Sequence, residues 1–136
     1  MVLIDTSAKN VYVSLIIRSR NLDPVLISRE LEIPEKMSQQ GHPDADLANY
    51  GYWILQSDHF VQSTDLTKHV NLLLDFMDQK RTILESYQQH EHKFEMSCYW
   101  LGNCSNTCLE LDSDVILRLA SWKIGIWFDV YMHPEN

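Results

Sequence analysis

Glycine is scarce in this chain. The four present, Gly41, Gly51, Gly102 and Gly125, stand far apart, so no glycine-rich loop exists to cradle a phosphate. No Gly-x-Ser-x-Gly occurs, which removes the nucleophile elbow of the α/β-hydrolases. Positive charge is also thin, with 11 Lys and Arg against 19 Asp and Glu and a formal net charge of -8. That balance argues against nucleic acid, whose phosphates each want a cation, and against anionic membrane surfaces. No stretch approaches the ~18 apolar residues of a transmembrane helix. Met1 to Ile4 is too short for the apolar core of a secretion signal, and Asp5 follows it. Cysteine is limited to Cys98, Cys104 and Cys108, odd in number and gathered in one region. A secreted disulfide scaffold shows an even, dispersed set, so the expectation is a cytoplasmic protein with reduced thiols.

What is present reads as one domain over residues 1–136, with a core over about 10–132. Lys9 to Arg20 alternates, with Val11, Val13, Leu15 and Ile17 on one face and Tyr12, Ser14, Ile16 and Arg18 on the other. Apolar residues on both faces predict a central strand. Asp23-Pro24 opens a short helix as cap and first residue, with Leu26, Ile27 and Leu31 expected inward and Pro34 ending it. Glu35 to Gln40 is a candidate short strand, and Tyr50 to Gln56, centred on Trp53, a second firm one. Thr64 or Asp65 caps the longest helix, whose Leu66, Val70, Leu73, Leu74 and Met77 share a face. The spacing leaves open whether residues 66–89 are one helix or two broken near Asp78 to Lys80. Lys93 to Leu101 alternates again. Asp112 or Ser113 caps a last helix with Ile116 and Leu119 inward, and Ile124 to Met132 closes as a strand.

The resulting fold class is α+β in the order βαββαβαβ. It is a mixed or antiparallel sheet of about five strands with helices mainly on one face, akin to the split βαβ plan. The other face is left open or covered by something else, and Tyr12, Trp127 and Tyr131 are candidates for it. Trp53, Trp100, Trp122 and Trp127 are expected in the core.

Several pieces in this order resemble a family of small bacterial proteins, domain of unknown function 4279. They are Leu22-Asp23-Pro24 after the first strand, Gly51-Tyr52-Trp53, the long helix from Asp65, the Leu111-Asp112-Ser113 helix start and the Phe128-Asp129-Val130-Tyr131 strand. The resemblance implies an α+β fold and no established activity. Some members look like immunity proteins encoded beside bacterial toxins.

The residues that bear on function are few. His90 and His92 with Cys98, Cys104 and Cys108 are the best metal candidates, but the close Cys-x-x-Cys pair of structural zinc sites is missing, and no metal or cofactor is expected. Asp112 and Asp114 belong to a helix start, where the dipole favours acids. More informative are two windows without Lys or Arg. One lies between Lys36 and Lys68 and holds Asp44, Asp46, Asp58 and Asp65; the other lies between Lys93 and Arg118. If their loops share one end of the sheet they form an acidic, Tyr-bearing rim for a basic protein. Asp44, Asp46 and Asp58 would steer the partner, and Tyr50, Tyr52 and Tyr99 would anchor it. The expectation is a non-enzymatic protein-binding inhibitor, immunity-type and directed at a toxin or effector. The alternatives are an anti-defence inhibitor of phage or plasmid origin and a small-molecule or metal-binding domain using the Cys and His residues. Self-association through an open face or edge is a further possibility.

Overall fold

A computed structural model of the chain describes residues 8–41, 50–102 and 108–132. The strands are β1 (Asn10–Ser19), β2 (Ser38–Gly41), β3 (Gly51–Gln56), β4 (Lys93–Gly102) and β5 (Gly125–Met132). The helices are α1 (Pro24–Leu31), α2 (Leu66–Gln79), α3 (Arg81–Gln89) and α4 (Ser113–Ser121), with single 3-10 turns at Glu35–Met37 and Ser57–His59. The predicted order βαββαβαβ holds, with the central helical stretch split in two. Lys80 makes the break, at φ -108° and ψ 23°, outside the helical region.

The five strands form one mixed sheet in the order β2-β3-β1-β4-β5. β1 is antiparallel to both β3 and β4, while β4 and β5 run parallel. β3 and β4 are thus parallel to each other, joined through α2 and α3, with β1 inserted between them, which is the split βαβ arrangement. α4 makes the ordinary crossover between adjacent parallel strands.

Helices cover the face that carries Val13, Leu15, Ile17, Trp53, Met96 and Cys98, all buried to 1% exposure or less. Against them pack Ile27 and Leu31 of α1, Val70, Leu73, Leu74 and Met77 of α2, Leu84 of α3 and Val115 and Leu119 of α4. The indole of Trp53 donates to Ser28 Oγ at 2.8 Å, and Gln40 Nε2 donates to the same oxygen at 2.9 Å. Buried polar atoms are thereby paired where α1 meets β2 and β3.

The caps form as the sequence implies. Asp23, Asp65 and Asp112 each accept a free amide of the first turn, from Leu26, Thr67 and Val115. The helix ends show the cost of scarce glycine. Glu32, Glu91 and Lys123 adopt φ of 59°, 65° and 57°. In each case the following amide reaches back to the carbonyl five residues before it, Ile33 to Ser28, His92 to Tyr87 and Ile124 to Leu119. That is the Schellman closure, which normally uses glycine at the left-handed residue.

Three expected burials are corrected. Leu26 is 40% exposed, because the inward arc of α1 runs through Pro24, Ile27, Ser28 and Leu31. Ile116 is 53% exposed, because Val115 and Leu119, four residues apart, take the inward face of α4. Trp127 is 51% exposed, whereas Trp53, Trp100 and Trp122 are buried. On β5 it is Ile126 and Phe128 that pack toward the core, so strand alternation turns Trp127 to the other side.

Candidate functional site

Strand pairing fixes what the face turned away from the described helices displays. Tyr12 lies opposite Tyr99, and Tyr99 beside Asp129. The next row holds Gln56, Ser14, Ser97 and Trp127. Beyond it come Ile54, Ile16 and Glu95, then Tyr52, Arg18 and Lys93. The Tyr12 and Tyr99 rings stack with centroids 5.1 Å apart and planes at 18°. Tyr131 extends the row, its centroid 5.7 Å from that of Tyr99. Offset-stacked aromatic pairs of this kind are favourable beyond their buried area.

Two small side chains sit side by side among these tall ones. Ser14 and Ser97 are cross-strand partners, and where their side chains fall short the surface sinks into a depression of about 240 Å³. Tyr12 and Tyr99 line one side, Ile16 and Ile54 the opposite side, and Trp127 and Asp129 the β5 side. Among the described residues the lining contains no Lys, Arg or His.

The electrostatics of this end of the face are acidic. Burial, then the carboxylates of Asp58 and Asp129 together with the Tyr99 phenol, raise the Tyr12 pKa above its ordinary value. The Tyr131 phenol is raised first by its hydrogen bond to Asp129. Both tyrosines therefore stay neutral, with Asp58 acting on Tyr12 and Asp129 set beside Tyr99. Among the described residues neither carboxylate has an ion-pair partner, and Asp58 Oδ1 is buried without a hydrogen bond. The opposite end is basic. There Arg18 pairs with Glu95 at 3.3 Å, and the Arg20 guanidinium lies 5.5 Å from the Tyr50 ring centroid.

The proposed acidic rim is therefore divided. Asp58 and Tyr99 come together beside Tyr12. Tyr50 and Tyr52, which are 39% and 37% exposed, lie at the other end among Arg18, Arg20 and Lys93. Tyr52 spreads its ring over Gly41, where a Cβ would collide with it. Asp44 and Asp46 lie outside the described residues. Sequence reasoning missed Asp129, Ser14 and Ser97 as site residues. The alternation of β1 and β5 did mark Tyr12, Trp127 and Tyr131 for this face, but only the register sets Asp129 beside Tyr99.

Two constellations that invite a chemical reading are structural. Ser57 Oγ donates to His69 Nδ1 at 2.6 Å, and His69 Nε2 donates to the Ser63 carbonyl at 2.7 Å. This resembles a nucleophile with its base, yet Ser57 is fully buried and its oxygen also accepts the Val13 amide at 2.9 Å. The pair tethers the 3-10 turn after β3 to β1 and α2. The Cys and His residues do not converge either. Cys98 faces the core, where burial pushes its thiol up to about 12, and the His90 and His92 Nδ1 atoms donate to the carbonyls of Ser86 and His90. Cys108 is exposed, and Cys104 lies outside the described residues. Among the described residues no three potential ligands gather at a metal-binding distance, and no helix is long and apolar enough to cross a membrane.

The family model for a domain of unknown function (DUF4279) matches residues 9–133. The chain belongs to that family. No curated protein and no solved structure matches it.

Proposed function

We propose, from membership of a family without an assigned activity, that this chain is a non-catalytic cytoplasmic binding protein that neutralises a basic protein partner, in the manner of an immunity protein. The observation that carries the reading is the row of Tyr12 and Tyr99, both half-buried, and the exposed Tyr131, with the exposed Trp127 beside it and Asp58 and Asp129 close by, on a sheet face that none of the described helices covers. Tyrosine and tryptophan supply large contact area at small entropic cost and are favoured interface anchors. Asp58 and Asp129, which have no ion-pair partner among the described residues, and the net charge of -8 steer a cationic partner toward this part of the sheet.

The test is co-expression with the products of neighbouring genes. A toxic, basic product should be neutralised by the wild-type chain and not by Tyr99→Ala or Trp127→Ala, each first shown to be folded. If no neighbouring product is toxic and pull-down returns no protein, the reading fails.

A further inference from the structure

We infer that the depression over Ser14 and Ser97 is the seat of one arginine side chain of the partner, an inference that rests on the binding reading above. Its lining is rich in acceptors and, among the described residues, holds no cation. The hydroxyls of Ser14 and Ser97, the side-chain carbonyl of Gln56 and the Asp129 carboxylate all border it. A group that brings many donors and a positive charge is the complement of that set. The rings of Tyr12, Tyr99 and Trp127 at its border add aromatic surface, which a planar guanidinium favours. Lysine is a poorer match, because its compact ammonium has three donors, is strongly hydrated and cannot stack. The volume narrows the occupant further. At about 240 Å³ the depression is smaller than the sites that hold whole metabolites, which begin near roughly 300 Å³. It suits the end of one side chain.

Selectivity would come from two positions. Asp129 is the charged acceptor, a carboxylate able to accept from more than one donor. Ser97 makes the space, since on this face any larger side chain at its position would fill the hollow between Ser14 and Trp127. Ser97 is only half-buried, so a larger residue there has room to stand upward without disturbing the core.

The experiment is an NMR titration of the whole chain with the blocked peptide acetyl-Gly-Arg-Gly-amide, beside the same peptide carrying lysine or citrulline. Citrulline keeps the shape of arginine and lacks its charge. With arginine, the Trp127 indole N–H and the amides of Ser14, Ser97 and Tyr99 should shift saturably. The lysine peptide should bind several-fold more weakly and the citrulline peptide should leave these signals in place. Asp129→Asn should weaken the arginine peptide about tenfold, the scale of one charge-assisted bond. Ser97→Leu should abolish the shifts while its spectrum stays dispersed. Absence of a saturable shift at Trp127, equal binding of lysine, or arginine binding that survives both substitutions would overturn the inference. A toxin still neutralised by Ser97→Leu would sink the arginine seat and leave the inhibitor reading standing. Arginine binding without any protein partner would do the reverse.

Discussion

The indole nitrogen of Trp122 donates to Asp78 Oδ1 across 3.0 Å, tying the end of α4 to the end of α2. The same carboxylate receives Arg81 on Oδ1 at 2.8 Å and Arg118 on Oδ2 at 2.9 Å. Arg118 also reaches Asn71 and Asp75, and the Arg81 guanidinium lies 4.2 Å from the centroid of the Trp122 ring. Three helices are thus joined at one acid. Asp78→Ala strands the largely buried Trp122 indole and should cost about 1–2 kcal/mol, a lost bond plus an unsatisfied donor. Urea denaturation measures it, and an unchanged midpoint would show the network to be slack.

Asp78 also predicts a pH dependence. Burial raises its pKa, but the hydrogen bonds from Trp122, Arg118 and Arg81 outweigh that and lower it below the ordinary 3.8. A carboxylate depressed in the native state contributes its stability above the unfolded value, and that stability fades as pH falls through the lowered native one. The loss therefore falls below about pH 4. Because Asp78 is 43% exposed, solvent screens the effect. The gap in stability between wild type and Asp78→Asn should narrow from pH 6 toward pH 3. A gap constant across that range would contradict the assignment.

Lys123→Gly should stabilise the protein by about 0.5–1 kcal/mol, since a left-handed conformation costs an L-residue more than glycine loses on ordering. Lys123 is exposed and holds the Schellman position at φ 57°. Thermal melts of the two proteins compare directly, and an equal or lower Tm for Lys123→Gly would show no strain there.

Trp53→Ala should cost about 3–5 kcal/mol, for a cavity in the core and the loss of the bond to Ser28. Asp23→Ala should cost only about 1 kcal/mol, the usual loss of a helix cap. The two midpoints measured together would reverse or coincide if α1 were held by its cap rather than by Trp53.

The thiols should separate in a timed reaction with Ellman's reagent at pH 8. Cys98 is fully buried, its thiol pushed up to about 12, and should react only on unfolding. Cys108 is exposed and should react at once. Fast modification of Cys98 in Cys104→Ser, Cys108→Ser protein would mean that the strand opens readily.

Element order and caps were legible because they are local. Asp23, Asp65 and Asp112 act on amides two or three residues away, and the alternation of Val11, Val13, Leu15 and Ile17 names a buried face without reference to any partner. The site was not local. Tyr12, Tyr99 and Asp129 meet only through two strand pairings of opposite sense. Charge-free windows in the chain also do not say at which end of a strand a loop emerges. Asp58 and Tyr52, six residues apart, therefore read as one group in the sequence although β3 carries them to opposite ends of the sheet.

β1 is the first strand and the middle one. Its Val13 faces Cys98, and its Leu15 faces Leu55 on one side and Met96 on the other. The centre of the sheet therefore waits, during synthesis or refolding, for β3 and then for β4, laid down more than half the chain later. Closing such large loops before any pairing rewards them makes folding slow for a domain of this size, on the order of milliseconds to seconds. Until β4 arrives, Val11, Val13, Leu15 and Ile17 stand beside a bare strand edge, the stretch through which a nascent chain is most open to capture by a chaperone or by another copy of itself.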